Sequence, residues 1–485
     1  MLRRLGVAFG ASLALTAFTA LGRFAWGGPF PPEQMAEILF GNIPVWAFTP
    51  LFRLFGLGSK YWAFAGMVGL HLVLWTSVGG WLLSRGGGTR LVGVLALLGF
   101  ALILLPLSGE GWFGAALPSG PVGAILTLVA AVALYGGVLG VARRRGGPSG
   151  ATPDRRGFLR NAGMATAATA GLKLAGGLWA ELARAAEDLW RAVAGLPPEI
   201  TPVGKFYTVS KNVFDPAVKT ERWSLEIKGL VDRPYKLTYE ELKGLPSVTQ
   251  PATLMCISNE VGGELIGNAQ WKGIRLKDLL AKAGIKPTAI EVILRAADGY
   301  SDSFPLKKGL EDGVLVMYEM NGQPLVKQHG APARVIVPGI YGMKNVKWVT
   351  SIELADYDYK GYWEVRGWSD EAIYKTMSRI DVPTGPLKVG ERAWVGGVAF
   401  AGDRGIRDVE VSLDGGKTWQ KAQVKPPLGS FTWVLWALPW TPPAPGAYPV
   451  MVRAVEKNGT VQTSEVRSPL PDGASGWHSV TIRVS

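Results

Sequence analysis

The run Thr-Leu-Met-Cys-Ile-Ser-Asn-Glu-Val-Gly-Gly, residues 253–263, contains the only cysteine of the 485-residue chain, Cys256. A strand-like stretch leads into this cysteine, and a polar, glycine-containing turn follows it. A chain with one cysteine cannot form an intramolecular disulfide. The side chain can therefore act in packing, as a nucleophile or as a ligand to a soft metal, and the residues alone leave these roles open.

The N-terminal 199 residues have the composition of a membrane region. Basic residues flank the apolar stretches on alternating sides, as the positive-inside rule requires when both ends of a four-span unit face the cytoplasm. A shorter apolar run, 38–52, contains two prolines and is expected to lie in the membrane interface. Four stretches approach the roughly 20 residues that a membrane span needs: 5–22, 61–84, 91–108 and 119–142.

The charge distribution separates membrane orientation from nucleic-acid binding. Residues 1–199 carry 16 Lys and Arg against 8 Asp and Glu, whereas the remaining 286 residues carry 35 against 30. The excess flanks apolar segments, whereas a nucleic-acid site needs a basic face on a soluble domain. No nucleic-acid partner is expected.

The sequence Asp-Arg-Arg-Gly-Phe-Leu-Arg at 154–160 resembles a twin-arginine export signal, which is read by a receptor. A weakly apolar stretch, 161–180, follows it. The alternative is a basic flank before a fifth span. Both interpretations predict that the chain beyond about residue 181 lies outside the cytoplasm, which in a bacterium is the periplasmic side.

His71 is the one histidine of the membrane region. A membrane-bound haem normally takes two axial ligands, so this region is not expected to hold one. An ionisable side chain within a span indicates a functional site by default. A structural hydrogen bond between helices is the other interpretation of His71.

Residues 200–375 alternate between strands, short helices and turns, which predicts a mixed α+β domain. Thr238 and Glu241 form a capping-box pattern that begins a helix over 238–243. Leucines on one face predict an amphipathic helix over 275–283. Strands are expected at 223–229, 290–296 and 334–337.

Residues 376–485 show short alternating stretches separated by turn signals, which is typical of a β-sandwich. Asn458-Gly459 between two such stretches predicts a hairpin. The predicted strands are 391–400, 409–413, 430–436, 448–455 and 478–484. The predicted organisation is a four-span membrane module (1–145), a signal or fifth apolar segment with a linker (146–199), an α+β domain (200–375) and a sandwich (376–485).

Five motifs in order resemble a known family over residues 200–485. They are 253–263, Asn-Ala-Gln-Trp-Lys-Gly at 268–273, Asp-Gly-Tyr at 298–300, Tyr-Glu-Met-Asn-Gly-Gln-Pro-Leu at 318–325 and His-Gly-Ala-Pro-Ala-Arg-Val-Ile-Val-Pro-Gly at 329–339. This part of the chain resembles the sulfite oxidase family of molybdopterin enzymes. The resemblance implies a molybdopterin-binding domain with oxygen-atom transfer activity, and an immunoglobulin-like dimerisation domain at 376–485.

The same resemblance implies roles for individual residues. Cys256 would ligate molybdenum as a thiolate, and Tyr300 and Arg404 would be catalytic. An arginine offers a bidentate fork to phosphate and a histidine a switchable donor. The positions that correspond to cofactor contacts are Tyr207, Thr208, Asn212, His329, Arg334, Asn345, Val346 and Lys347.

Two departures from the family pattern concern the substrate. Sulfite oxidases place an arginine shortly after the cysteine, where this chain has Ser258-Asn259-Glu260, and a second family arginine corresponds to Ser210. A doubly charged oxyanion would lack two cationic binding partners in this chain. An acid near the first position would reverse the sign of the local electrostatic field. Sulfite is therefore one candidate substrate, and a neutral sulfoxide is another.

These observations predict a multi-pass protein of the cytoplasmic membrane, a molybdenum oxidoreductase acting on a small molecule outside the cytoplasm. One cysteine and three histidines offer no iron–sulfur or haem ligand set, so electrons would pass to a separate haem protein or a quinone. A homodimer is expected through the sandwich. The alternatives are a reductase of sulfoxide-type substrates and a non-enzymatic membrane receptor or scaffold with a degenerate cofactor domain.

Overall fold

The computed structural model of the chain describes residues 2–43, 58–85, 98–108, 119–144 and 193–485, together with a few isolated residues between these ranges. The twin-arginine-like segment at 154–160 and the apolar stretch at 161–180 lie outside the described residues.

The N-terminal part is helical. Small and apolar residues let the first helix pack closely on its neighbours: Ala11 and Leu15 are buried against Leu82 and Tyr135. A π-helical turn at Phe100–Leu104 precedes a short turn of helix at Leu105–Leu107. The long helices are α1 (Leu2–Trp26), α2 (Pro31–Asn42), α3 (Ser59–Arg85) and α4 (Gly120–Arg144).

Two helical stretches, Arg4–Trp26 and Ser59–Ser84, are long and apolar enough to cross a membrane. The apolar part of α4, Gly120–Gly136, is shorter than the roughly 20 residues that crossing takes. The predicted span at 91–108 is only partly described, and so is the predicted interfacial segment at 38–52. The prediction of four spans is therefore not confirmed.

The middle of the chain folds into two sheets. One has the order β2-β1-β10-β5-β6, with β1 parallel to β10; the other has the order β3-β4-β7-β8, with β9 also paired to β7. The strands are β1 (Ser224–Gly229), β2 (Tyr235–Thr238), β3 (Val248–Met255), β4 (Ile266–Arg275), β5 (Glu291–Ala296), β6 (Ser301–Pro305), β7 (Leu315–Met320), β8 (Gln323–Pro324), β9 (Arg334–Ile336) and β10 (Val349–Ala355).

Three helices of this domain are α5 (Tyr239–Lys243), α6 (Leu276–Ala283) and α7 (Leu306–Gly309). The predicted capping box is confirmed, because Thr238 accepts from the Glu241 backbone and Glu241 accepts from the Thr238 backbone. The amphipathic prediction is also confirmed, because α6 buries its leucine face in the core between the sheets.

The C-terminal part consists of two four-stranded antiparallel sheets, β11-β12-β16-β15 and β14-β13-β17-β18, which share one core. This confirms a β-sandwich, and its immunoglobulin-like classification stays a prediction. The strands are β11 (Met377–Val382), β12 (Ala393–Phe400), β13 (Ile406–Ser412), β14 (Gln420–Lys421), β15 (Gln423–Val424), β16 (Val434–Trp440), β17 (Gly446–Glu456) and β18 (His478–Val484).

One predicted strand, 430–436, begins four residues too early. The backbone at Phe431 bridges to Ala252, and the Trp433 amide donates to the Thr253 hydroxyl at 2.9 Å. These contacts with β3 compete with the sandwich, so β16 begins only at Val434. The predicted Asn458-Gly459 turn forms. It is closed by the Glu456 amide, which donates to the Thr460 carbonyl at 2.9 Å, and by a Val455–Val461 bridge.

Candidate active site

A cavity that is open to solvent lies beside Cys256. Its walls come from the loop 206–211, the turn after β3 and the segment 342–348. Most of the residues predicted to hold a cofactor line this cavity: Tyr207, Thr208, Cys256, His329, Arg334, Asn345, Val346 and Lys347. Tyr300 lines it as well.

Cys256 is the first residue after β3, whose ladder with β4 ends at the Met255–Ile266 pair. The following turn is fixed because the Asn259 carboxamide oxygen accepts from the Leu265 amide at 2.8 Å. The sulfur lies 2.9 Å from the Ser258 hydroxyl, and burial raises the pKa of the thiol. A metal ion would reverse that shift, because it stabilises the thiolate.

Arg334, the first residue of β9, is a buried cation. Its guanidinium donates to the carbonyl oxygens of His329 (3.3 Å) and Asn345 (3.1 Å). Its Nε has no hydrogen-bond partner, and the described residues give it no carboxylate. Burial lowers its pKa to about 10. A buried guanidinium without an acid is costly unless an anion neutralises it.

His329 and Lys347 flank this guanidinium. The His329 Nε2 donates to the Val203 carbonyl at 3.0 Å, because a carbonyl oxygen can only accept, and its ring packs edge-on against Phe206. Only its Nδ1 remains to contact a cofactor. Burial lowers the pKa of Lys347 to about 8.

Asn345 and Val346 contribute their backbone to the site. The Asn345 side chain is occupied by the turn before it, accepting from the Val337 amide at 2.6 Å and donating to the Tyr341 carbonyl at 3.0 Å. The Val346 carbonyl accepts from the Val335 amide. Cofactor contacts at these two positions stay a prediction.

The first cofactor loop only partly follows the prediction. Tyr207 stacks on Phe206 at 5.5 Å, whereas Thr208 is exposed at the rim. Asn212 does not line the cavity. It is buried one layer away and donates to the Asp298 carboxylate at 2.8 Å. Asn212 therefore positions a wall residue.

Tyr300 is held by a neighbouring acid. Its hydroxyl lies 2.6 Å from the Asp302 carboxylate and 2.9 Å from the Met343 carbonyl. Burial and then the Asp302 charge raise its pKa well above the usual value. Asp302 in turn pairs with the buried Lys344 at 3.1 Å.

Arg404 does not reach the cavity, so the structure does not support its predicted catalytic position. Its Nε pairs with Glu456 at 3.0 Å, and its Nη2 donates to the Tyr374 carbonyl at 2.8 Å. Tyr374 is buried behind Cys256, with its hydroxyl accepting from the Met255 amide. Arg404 therefore fixes a residue behind the cysteine.

The predicted reversal of charge by Glu260 is wrong. Glu260 is exposed and lines a different, small pocket, because the turn after Cys256 directs it away from the cavity. Ser210 does line the cavity, and the next residue, Lys211, brings a cation to the same wall. The family pattern did not indicate Lys211, because this lysine lies one position beyond the one that corresponds to the family arginine.

Other wall residues also escaped prediction: Asp298, Met343, Trp363 and Trp368. Asp298 belongs to the Asp-Gly-Tyr motif at 298–300, and an acid next to a glycine was the feature of the sequence that could have indicated it. The two tryptophans carry no local signal, because the sequence contains 19 tryptophans and most pack in cores.

The residues present fit a molybdopterin cofactor. Cys256 offers one soft ligand, and the unneutralised guanidinium of Arg334 beside Lys347 suits a phosphate. The backbone comes unusually close at Gly342, where a Cβ atom would lie 2.8 Å from the Tyr207 hydroxyl. A side chain there would fill the space next to the cysteine.

Comparisons with known proteins agree with this geometry. Residues 212–363 match the oxidoreductase molybdopterin binding domain, and residues 375–485 match the Mo-co oxidoreductase dimerisation domain. The chain is 30% identical to sulfite oxidase of Gallus gallus, over 55% of this chain and 69% of that protein.

Mitochondrial sulfite oxidase of Drosophila melanogaster is 32% identical, over 49% of this chain and 50% of its own length. The chain thus spans about half the length of that relative. The solved structure of the sulfane dehydrogenase SoxCD from Paracoccus pantotrophus matches with 26% identity and a TM-score of 0.53, over 59% of this chain and 81% of that one. The chain belongs to the sulfite oxidase family of molybdopterin-dependent oxidoreductases.

Proposed function

We propose that this protein is a membrane-anchored molybdenum oxidoreductase that transfers an oxygen atom outside the cytoplasm, with a sulfite-like oxyanion as its substrate. The molybdenum cofactor, when bound, supplies the two-electron oxygen-atom transfer. Cys256 would hold the metal, and Arg334, His329 and Lys347 would hold the pterin and its phosphate. Family membership argues against the alternative of a non-enzymatic receptor.

The position of Lys211 is the observation that supports an anionic substrate. It lines the cavity beside Ser210, and its ammonium donates to the Asn212 carboxamide at 2.7 Å. It also lines an open gap of about 2640 Å³ that adjoins the cavity. The catalytic-domain wall of this gap carries two acids, Glu226 and Asp298, against six cations: Lys211, Lys219, Arg222, Lys228, Lys236 and Arg295. Glu226 pairs with Lys228 and Lys236. Such a wall attracts anions.

Membrane anchoring is supported by the two long apolar helices and by their contacts with the cofactor loop. The Lys60 ammonium, at the start of α3, donates to the carbonyls of Ser210 (2.8 Å) and Asn212 (3.0 Å). Phe214 packs edge-on against Phe24 and Phe64. The proposal of export is based on the twin-arginine-like sequence and the basic flanks. The proposal of a homodimer is based on the match to a dimerisation domain.

A second candidate is the reduction of sulfoxides. Met343, Trp363 and Trp368 form an apolar and aromatic part of the cavity wall, which a bare oxyanion does not need. Such a wall would accommodate the organic substituents of a sulfoxide. The absence of the two family arginines favours the same neutral substrate.

Metal analysis and two redox assays test the proposal. We expect about one molybdenum per chain in protein from a molybdenum-replete host, loss of the metal in Cys256→Ala and its retention in Ser258→Ala. We expect the rate of sulfite oxidation with an artificial electron acceptor to exceed the rate of methionine sulfoxide reduction with a reduced dye as electron donor. The opposite ranking would select the second candidate, and metal-free wild-type protein would overturn both.

Lys211 gives the sharper test of substrate charge. Lys211→Ala should raise the KM for sulfite on the order of tenfold, the equivalent of one charge-assisted contact, while kcat changes little. Lys219→Ala is the matched control, because Lys219 is exposed in the gap and does not line the cavity. Equal KM values in both variants would refute a role of Lys211 in substrate binding.

A further inference from the structure

The helical part contains a second cavity, of about 360 Å³, larger than a packing defect. We call it the intramembrane cavity. Helices α1, α2, α3 and α4 and the segment around Phe100 form its walls. The lining is almost wholly apolar and includes Leu15, Met35, Trp75, Phe100 and Leu128.

His71 is the polar exception that lacks a partner. It lines the cavity and is 2% exposed, and its Nε2 has no hydrogen-bond partner among the described residues. Thr19 also lines the cavity, but its hydroxyl is bonded to carbonyls of its own helix, at Leu15 and Thr16. A buried polar atom without a hydrogen-bond partner is unfavourable, so a ligand atom at this nitrogen would be favoured.

The position of the cavity indicates how a ligand would enter. His71 is twelve residues beyond Ser59, about 18 Å along α3, which is near the middle of a hydrocarbon core about 30 Å thick. Leu74 and Ile103 on the rim are 52% and 58% exposed. Both side chains face outward from the helices, so the cavity opens sideways toward lipid.

We propose that the intramembrane cavity binds an isoprenoid quinone, with one ring oxygen bonded to His71 Nε2. A neutral imidazole nitrogen donates to a quinone carbonyl in one tautomer and accepts from a quinol hydroxyl in the other. Trp75, whose ring centroid lies 6.3 Å from that of His71, supplies an aromatic wall, and the apolar lining suits the isoprenoid tail.

This inference rests on the proposed function, because it names the electron partner. Oxidation of sulfite to sulfate takes up one water and releases two electrons and two protons. Reduction of a quinone to its quinol consumes two electrons and two protons. The helix that carries His71 also carries Lys60, which contacts the cofactor loop eleven residues away, about 16 Å along the axis.

Binding of decylubiquinone to the full-length protein in detergent tests the site. We expect one saturable site by calorimetry. His71→Leu should weaken binding on the order of tenfold, the value of one hydrogen bond, whereas His71→Gln should stay near wild type because its amide can donate or accept. Leu74→Trp, which fills the cavity mouth, should also weaken binding. Val73→Leu is the control, since Val73 is exposed and does not line the cavity.

Equal affinity in all variants, or uptake that only follows the amount of detergent, would overturn the proposal. Absence of binding because another apolar segment of the chain fills the cavity would overturn it too. Molybdenum content and dye-linked turnover of the same preparations separate the two proposals. Lost quinone binding with normal dye-linked turnover refutes only the cavity assignment, and normal binding without turnover refutes only the proposed reaction.

Discussion

At the scale of single residues, the buried guanidinium of Arg334 is the strongest indication of an anion-binding site. Arg334→Met should abolish pterin retention while leaving the cofactor-free protein at least as stable, because a buried, unneutralised charge is removed. Arg379→Met is the contrasting control. Arg379 is also buried but pairs with Asp381 at 2.7 Å, so this change strands a carboxylate and should cost about 3 kcal/mol. Pterin fluorescence and thermal unfolding measure both effects.

Lys347 should make anion binding dependent on pH. Burial lowers its pKa to about 8, so the ammonium is charged below this pH and neutral above it. Sulfate, which does not titrate in this range, should therefore bind the cofactor-free protein less tightly as the pH rises through 8. Lys347→Met should remove this step, and Lys327→Met, outside the cavity, should keep it. A step of equal size in both variants would contradict the assignment.

At the scale of elements, the sequence predicted what local patterns determine. The capping box at Thr238, the leucine face of α6 and the strand at His478–Val484 all depend on neighbours in sequence, and all are confirmed. The late start of β16 was not predictable, because the contact that causes it comes from β3, about 180 residues away. In the same way, the motifs indicated Tyr300 but not the partners that hold its hydroxyl.

These partners form a buried ion cluster. Lys344 is 1% exposed and bonds to Asp302, to Glu364 and to the Ser303 carbonyl. It also ends the short Gly342–Lys344 turn that carries two cavity residues. The cluster thus joins strand β6, this turn and the Glu364 turn beneath the active site.

Lys344→Met should lower the free energy of unfolding by about 3–5 kcal/mol, because two carboxylates lose their buried counter-charge. Lys308→Met should cost less than about 1 kcal/mol, since its partner Glu311 is half exposed. Adding Asp302→Asn to Lys344→Met should recover part of the stability. Urea unfolding measures the stability of all three variants. Equal losses of stability in Lys344→Met and Lys308→Met would contradict a stabilising role of this cluster.

At the scale of the whole molecule, hydropathy predicted a membrane region but not its contact with the active site. No composition rule pairs Lys60 with the carbonyls of Ser210 and Asn212, which are 150 and 152 residues away. Ser210 lines the catalytic cavity, so α3 supports part of its wall. The helical part therefore supports the active-site cavity through this contact.

Lys60→Met should loosen the loop 206–215, because two backbone carbonyls lose their donor. We expect faster proteolytic cleavage in this loop and lower pterin content, with unfolding of the sandwich unchanged. Lys60→Arg should keep most of the resistance to cleavage and most of the pterin content, since its guanidinium can donate to the same carbonyls. Trp62→Leu, at a nearby exposed position, controls for disturbance of the helix start. If Lys60→Met matches the wild type in cleavage rate and pterin content, the helices serve the catalytic domain only as an anchor.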